Sequence, residues 1–175
     1  MRIFEVEWNE NNPLENTRDP LTWWGTRESQ MIHSYKEIKK ARSIDSYSAA
    51  MLIAAQKGVT SAIWDYKVSN VPITGNAAAY IVSVLKKIKP ENRTLYRGVE
   101  REGYDDAHIM PFQSWAANVD AARWFGRYIY KTVGPVRAVE LSSIDYWSGL
   151  LYGGSNGLGD NQYEWFVLSP KTEKM

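Results

Sequence analysis

The amino-acid sequence predicts an α+β protein: a single domain in which a mainly helical half, residues 1–90, packs on a mostly antiparallel β-sheet formed by residues 91–175. Three observations predict it. Before Pro90, apolar residues recur at three- and four-residue steps, which is typical of amphipathic helices. After Pro90 they fall in short runs rich in aromatic and β-branched residues, which is typical of strands. No repeat or long linker divides the 175 residues, so both halves are expected to belong to one domain.

The composition is that of an ordinary globular protein, and it excludes several kinds of chemistry. Apolar residues make up 44% of the chain, and 21 Lys and Arg against 20 Asp and Glu leave a net charge of +1, which gives no general attraction to nucleic acid. The absence of cysteine excludes disulfides, thiol catalysis and cysteine-bound zinc. Two histidines are too few for most metal sites, so we expect no metal.

The sequence also gives no sign of a membrane segment or a signal peptide. No apolar stretch reaches the ~18 residues that a bilayer-spanning helix requires. Glu5 and Glu7 stand where a signal peptide would need an apolar run. We therefore expect a cytoplasmic protein, acting in its own cell or in the cytosol of a host.

Three helices are predicted before Pro90. Residues 29–42 place apolar side chains at helical spacing, as expected for a helix with one buried face. Asp45 is a suitable N-cap for a second helix, which we expect to stop at Gly58. A third helix is expected to start after Thr74 and to end before Pro90, because the residue that precedes a proline disfavours the helical conformation.

Five strands and one short helix are predicted after Pro90. The strands are expected at residues 94–99, 111–115, 128–133, 136–141 and 163–168. Asn118 is a suitable N-cap for the short helix. Gly134 and Pro135 separate the third strand from the fourth and predict a hairpin between them. The glycine-rich residues 148–161 predict a loop before the last strand.

Aromatic residues are over-represented, with 8 Trp, 11 Tyr and 4 Phe. Large aromatic side chains usually contribute to a protein core. The residues predicted to lie in the core are Trp124, Phe125, Trp165 and Phe166. The candidates for the wall of a ligand site are Trp23, Trp24 and Trp115.

Three polar residues interrupt the apolar strands of the second half: Arg97, Ser114 and Glu164. A charged side chain on a short apolar strand is costly unless it faces solvent or a partner. Each residue taken alone has an ordinary structural explanation, such as a salt-bridged arginine at a sheet edge or a carboxylate on the solvated face of a strand. The segments around them favour a joint interpretation.

Those segments resemble the motifs of one enzyme family. They are Thr94-Leu95-Tyr96-Arg97-Gly98-Val99, Phe112-Gln113-Ser114-Trp115, and Gln162-Tyr163-Glu164-Trp165-Phe166-Val167-Leu168-Ser169-Pro170. In this order they are similar to the mono-ADP-ribosyltransferases of the arginine–serine–glutamate class, which include bacterial toxins and bacteriophage enzymes. The resemblance covers residues 93–170. It implies a split, mostly antiparallel sheet and an enzyme that cleaves NAD and transfers ADP-ribose to a macromolecule.

The resemblance implies a role for each residue of the motifs. Glu164 would stabilise the oxocarbenium-like state that forms as the nicotinamide–ribose bond of NAD breaks, as in glycoside hydrolysis. Arg97 would bind the phosphates of NAD through its planar fork of donors, and Gly98 would let the backbone approach the nicotinamide closely. Ser114 would hydrogen-bond Glu164 and fix its rotamer, and Trp115 would line the NAD site.

Gln162 is the position that orients the acceptor in this family. Residues two apart on a strand share a face, so Gln162 would point the same way as Glu164. Glutamine here resembles the asparagine-modifying and guanine-modifying relatives, whereas arginine-modifying relatives usually carry glutamate. The family's serine motif usually has a second hydroxyl residue where this chain has Ala116, which leaves Ser114 alone to contact Glu164. Because the near-neutral net charge disfavours broad nucleic-acid binding, a protein acceptor is expected in preference to a nucleic acid.

Several alternatives stay open. The same residues could serve an NAD glycohydrolase, which gives the ribosyl group to water. The aromatic residues could instead form a non-enzymatic binding module for a carbohydrate, peptide or partner protein, which would need neither NAD nor Glu164. A glycosidase with Asp160 and Glu164 as its carboxylate pair is a third alternative. Arg123 and Arg127 are both candidates for a further phosphate contact, and the sequence does not choose between them.

Overall fold

Six helices and seven strands make up the described part of the computed structural model, which comprises residues 35–102, 111–153 and 163–175. The helices are α1 (described at residues 35–40), α2 (Ser46–Ala54), α3 (Lys57–Ser69), α4 (Gly75–Lys87), α5 (Val119–Arg123) and α6 (Leu141–Tyr152). The strands are β1 (Glu91–Asn92), β2 (Tyr96–Val99), β3 (Gln113–Ala116), β4 (Tyr128–Thr132), β5 (Pro135–Glu140), β6 (Glu164–Leu168) and β7 (Thr172–Lys174). The predicted α+β class is confirmed. None of the helices in these ranges is long and apolar enough to cross a membrane.

The helix starts predicted from capping residues are present. The Asp45 carboxylate accepts a hydrogen bond from the Ser48 amide at 2.6 Å at the start of α2. The Asn118 side chain accepts one from the Ala121 amide at 2.9 Å at the start of α5. Both caps satisfy amide groups that have no partner inside the helix. Thr74 precedes α4 as expected, although its side chain makes no capping bond.

One helix of the first half, α3, was not predicted. Gly58 was expected to end α2, but it lies in the first turn of α3. Glycine lowers helix propensity by only ~1 kcal/mol, and burial of Val59 and Ile63 on the same helix offsets that cost. The helix ends at Asn70, whose φ of 53° is left-handed and whose amide bonds to the Tyr66 carbonyl, a common way for a helix to end.

The second half contains more helix than predicted. The chain forms α6 directly after β5, and its last residues, 148–152, were expected to begin a loop. The apolar residues Leu141, Ile144 and Leu151 of α6 are buried at helical spacing. The edge strands β1 and β7 were also missed; with two and three residues, they have no periodicity that a sequence pattern could reveal.

All seven strands belong to one antiparallel sheet in the order β1-β5-β6-β3-β2-β4-β7. This order shows that the hairpin predicted at Gly134 and Pro135 is wrong. Strand β4 pairs with β2 and β7, whereas β5 pairs with β1 and β6. Gly134, with a φ of 78°, directs the chain from one part of the sheet to another instead of back along the strand it has just left.

The short connection between β4 and β5 requires the sheet to curl. Strand β4 ends at Thr132 and β5 begins at Pro135, and three residue steps span at most ~11 Å. In a flat sheet, the four strand spacings between β4 and β5 would separate them by ~19 Å. The seven strands therefore form one curled sheet, and the split sheet that the resemblance implied is not confirmed.

Each face of the sheet has its own core. The larger core packs the helices against one face and includes Phe112, Val139 and Phe166. The smaller core consists of Leu95, Trp115, Val136, Ala138, Trp165 and Val167. Because Trp165 and Phe166 alternate along β6, the two cores lie on opposite faces of that strand. Glu164, two residues before Phe166, belongs to the face that the helices cover.

Candidate functional site

A pocket of about 160 Å³ lies where α3, β2, β3, α5 and β6 meet. Five of the six residues predicted to form the site line it: Arg97, Gly98, Ser114, Trp115 and Glu164. The other lining residues are Tyr66 and Lys67 of α3, the Asn70 cap that follows α3, Tyr96 of β2, Ala116 of β3, Ala122 of α5, and Phe125. The fold thus brings residues from three predicted motifs to one concavity.

Glu164 is buried at the start of β6, with 9% of its surface exposed. Its Oε1 accepts a hydrogen bond from the Ser114 hydroxyl, and its Oε2 accepts one from Nζ of Lys67 at 2.8 Å. Both carboxylate oxygens are therefore engaged by side chains of the pocket. A buried carboxylate needs such partners, because burial of an unpaired charge is costly.

The pairing of β3 with β6 positions Ser114. Strand β3 runs antiparallel to β6, with Ser114 opposite Phe166 and Ala116 opposite Glu164. The Ser114 side chain therefore lies on the same sheet face as Glu164, diagonally across the strand pair and within reach of it. The Ser114–Glu164 hydrogen bond that the resemblance implied is present. Ala116, the residue directly opposite Glu164, offers no hydroxyl group.

Arg97 lies on β2, in the interior of the sheet between β3 and β4. Its Nη1 donates a hydrogen bond to the Ser114 carbonyl oxygen at 2.7 Å, which links the guanidinium to the strand that carries the serine. Arg97 also lines a neighbouring concavity of about 340 Å³, which shares Gly98 and Phe125 with the pocket. The arginine thus lies where two adjoining concavities meet.

Gly98 is required by packing. A Cβ atom at residue 98 would lie 2.0 Å from the Ala122 carbonyl oxygen, and a Cβ at Gly126 would lie 2.2 Å from the Val99 carbonyl carbon. Both distances are far below van der Waals contact, so two glycines allow β2 and the segment of α5 to approach closely. This close approach explains why residue 98 is a glycine without reference to a ligand.

The structure corrects the predictions for several aromatic residues. Trp115 lines the pocket, and most of its surface is buried in the smaller core, with 2% exposed. Trp124 and Phe125, expected in the core, are 87% and 54% exposed, because α5 is only five residues long and turns both rings outward. Trp165 and Phe166 are buried, as predicted.

Several predicted residues lie outside the described part of the chain: Gln162, Asp160, Trp23 and Trp24. The expectation that Gln162 shares a face with Glu164 assumed an extended strand through residue 163. Tyr163 has a φ of 46°, which is left-handed, and β6 begins only at Glu164. Regular strand alternation therefore does not extend through this residue.

Lys67 is the site residue that sequence reasoning missed. It lies on α3, 97 residues from Glu164, and both side chains of the pair are nearly buried, at 10% and 11% exposure. The apolar residues Val59 and Ile63 and the terminal Asn70 are a helix signal that could have revealed α3. No sequence pattern could have indicated that this helix presents its lysine to Glu164.

The two remaining candidates for a phosphate contact, Arg123 and Arg127, do not line the pocket. Arg123 forms an exposed ion pair with Asp120 at 2.8 Å, and the Arg127 guanidinium lies 5.1 Å from the centre of the Tyr128 ring. Neither arginine lines either concavity. Among residues 35–102, 111–153 and 163–175, no cluster of three or more potential metal ligands occurs.

Comparisons with known proteins give no relative from which a function could be transferred. No protein-family model, no curated protein and no solved structure matched the chain. The residues of the pocket and their chemistry are therefore the basis for assigning a function.

Proposed function

We propose that the chain is a mono-ADP-ribosyltransferase, which breaks the nicotinamide–ribose bond of NAD and transfers ADP-ribose to a macromolecular acceptor. The observation that carries this proposal is the meeting of Arg97, Ser114 and Glu164 in one pocket. The serine is 17 residues from the arginine and 50 from the glutamate. The three residues form one chain of contacts across β2, β3 and β6.

The ordinary structural explanations of these residues fit the pocket poorly. Glu164 is buried, so it is not a carboxylate on a solvated strand face. Arg97 lies on an interior strand and lines a concavity, so it is not an arginine at the sheet edge. A buried carboxylate in a concavity that two cationic side chains also line is the kind of arrangement that serves chemistry.

Glu164 would stabilise the positive charge of the reaction. As the C–N bond between nicotinamide and ribose breaks, nicotinamide leaves with the bonding electron pair and positive charge develops on the ribose, as in glycoside hydrolysis. A carboxylate held in place before the reaction stabilises that charge without having to rearrange. The nucleophilic atom of the acceptor then bonds to the ribose carbon and releases its proton to solvent.

Arg97 is suited to the phosphates of NAD. Its guanidinium presents a rigid fork of donors that matches phosphate geometry, and the bond to the Ser114 carbonyl fixes the orientation of the fork. Because Arg97 lines both concavities, an elongated dinucleotide could occupy one with its nicotinamide riboside and extend past the arginine into the other. The exposed Phe125 ring borders both and offers a stacking surface for a ring of the substrate.

The acceptor is proposed to be a protein side chain, and one experiment identifies its class. The protein is incubated with a tagged NAD and a bacterial lysate, and portions are then digested with protease or with nucleases. Loss of a macromolecular tag on protease treatment supports a protein acceptor, whereas loss on nuclease treatment points to a nucleic acid. Release of nicotinamide with no macromolecular tag would identify a glycohydrolase instead. If neither a tagged macromolecule nor released nicotinamide is found, the proposed function is contradicted.

A further inference from the structure

The ion pair between Lys67 and Glu164 opposes the function proposed for Glu164. Nζ of Lys67 lies 2.8 Å from Oε2 of Glu164, and both side chains are about nine-tenths buried. A cation at this distance offsets much of the carboxylate's field, and in a partly buried site it does so more effectively than in water. In the free protein, Glu164 is thus a charge-compensated carboxylate.

Glu164 can stabilise a ribosyl cation fully only if the Lys67 ammonium group moves away from its carboxylate. Oε1 of Glu164 is held by Ser114, and Oε2 is the oxygen that Lys67 covers. An ammonium group that stays on Oε2 would both weaken the attraction of the carboxylate for the developing charge and occupy the oxygen that could accept a ribose hydroxyl. The substrate therefore has to displace Lys67 from Glu164.

NAD carries the group that can do so. Its pyrophosphate has two negative charges, and phosphate oxygens form strong charge-assisted hydrogen bonds with lysine. Lysine is a point charge on a flexible four-carbon stem, so Nζ can change partners by side-chain rotation while α3 stays in place. Lys67 shares the pocket with Arg97, the residue proposed above to bind the phosphates.

We propose that Lys67 is a positioning residue that couples phosphate recognition to the exposure of Glu164. In the free protein its ammonium group covers Oε2 of Glu164, and the pyrophosphate of the bound dinucleotide draws it away. This inference rests on the proposed function. It makes cleavage depend on a feature of NAD that is remote from the bond that breaks, so that a ribosyl–nicotinamide bond without a pyrophosphate is cleaved poorly.

Two substrates, two variants of Lys67 and one control variant test the coupling. Nicotinamide riboside has the same scissile bond as NAD but no phosphate. In the hydrolysis of either substrate, nicotinamide leaves with the electron pair of the broken bond, and a water molecule bonds to the ribose carbon and loses one proton. Since Lys67→Met removes the ammonium group, we expect kcat/KM for nicotinamide riboside to rise about tenfold and that for NAD to fall about tenfold, mainly through KM. Lys67→Arg retains a cation and should restore the preference for NAD. Lys86→Met, an exposed lysine on α4, is the matched control and should change neither rate.

A measurement on the unmodified protein guards against a variant that fails to fold. Inorganic pyrophosphate added at millimolar concentration should stimulate cleavage of nicotinamide riboside by the wild type, saturably and several-fold, because it supplies in solution the anion that the truncated substrate lacks. No stimulation, or inhibition alone, would overturn the inference. An equal fall in kcat/KM for NAD and for nicotinamide riboside in a folded Lys67→Met variant would overturn the inference as well, while leaving the proposed function intact. Failure of the wild type to cleave NAD would instead remove the proposed function, and this inference with it.

Discussion

The Ser114 hydroxyl donates a hydrogen bond to Oε1 of Glu164, and this contact joins the middle of β3 to the first residue of β6. It lies on the sheet face that the helices cover, next to the pocket. The bond restricts the rotamer of the carboxylate, so the serine acts on the proposed reaction through Glu164.

Ser114→Ala should lower activity more than it lowers stability. The loss of one hydrogen bond to a buried charged group is expected to cost about 2 kcal/mol of unfolding free energy, while the freed rotamer of Glu164 should reduce kcat for NAD cleavage about tenfold or more. Steady-state kinetics and urea denaturation measure the two effects. Ser83→Ala is the control, because the Ser83 hydroxyl is exposed and donates a hydrogen bond to the Tyr80 carbonyl oxygen within α4. Equal kinetics for Ser114→Ala and the wild type would contradict the positioning role.

Gly98→Ala should destabilise the protein strongly. The new Cβ would lie 2.0 Å from the Ala122 carbonyl oxygen, and since that atom belongs to the backbone, α5 has to move away from β2. We expect a cost of about 3 kcal/mol or more, at the upper end of the usual range for an overpacked site.

Gly58→Ala is the matched glycine control. A Cβ at residue 58 would meet nothing within 4 Å, and the position is helical, so alanine should stabilise the protein by about 0.5–1 kcal/mol. Thermal unfolding followed by circular dichroism distinguishes the two variants. A stable, fully folded Gly98→Ala would show that the approach of α5 to β2 is less close than described.

Tyr152 should make the protein less stable at alkaline pH. Burial raises the pKa of its hydroxyl above the ordinary value of 10.0, with further contributions from Tyr35 and Tyr80. Because the folded state holds the proton more tightly than the unfolded state, the stabilisation is complete below the unfolded pKa and is lost as the pH rises above it. Unfolding midpoints should therefore decrease from about pH 10 upward.

Tyr152→Phe tests the origin of that decrease. It should cost about 1 kcal/mol at neutral pH, because the hydroxyl donates a hydrogen bond to the Ala55 carbonyl at 3.1 Å, and it should make the alkaline decrease shallower. Tyr163→Phe, at an exposed tyrosine, should leave stability at neutral pH unchanged. An alkaline slope that is identical in Tyr152→Phe and the wild type would assign the effect to other groups.

Glu164→Gln should reduce stability as well as activity. The glutamine would remove the carboxylate charge from the nearly buried Lys67–Glu164 ion pair, and removal of one partner of such a pair typically costs ~3 kcal/mol. The control Glu173→Gln breaks an exposed pair with Lys131 and should cost less than ~1 kcal/mol. If the two variants unfold at the same denaturant concentration, the Lys67–Glu164 pair contributes no more than a surface pair.

The parts of the fold that could be predicted from the sequence are those specified locally. Asp45 and Asn118 cap helices because their side chains bond to amides three residues further along the chain, and such signals lie within a few neighbouring residues. Arg97, Ser114 and Glu164 were selected by motif and strand context, and the pocket contains all three.

The parts that were missed depend on contacts distant in sequence. Gly134 and Pro135 were expected to form a hairpin, but they connect two strands that are not neighbours in the curled sheet. Whether such a connection is a hairpin depends on the strands with which β4 and β5 pair, and those strands are distant in sequence. Lys67 meets Glu164 across 97 residues. Trp124 was expected in the core because it is a large aromatic residue, but it is 87% exposed. It directly follows α5, which is only five residues long and offers little apolar surface for the ring to pack on.

Release of nicotinamide from NAD by the wild type and by Glu164→Gln tests the central proposal most directly. Separation of the products by chromatography counts every broken C–N bond, whatever the acceptor. We expect release by the wild type and a loss of at least ~100-fold in a folded Glu164→Gln variant, the usual effect of deleting one preorganised charge at a reacting centre. No release by the wild type, or equal release by both proteins, would contradict the assignment of Glu164 as the residue that stabilises the ribosyl cation.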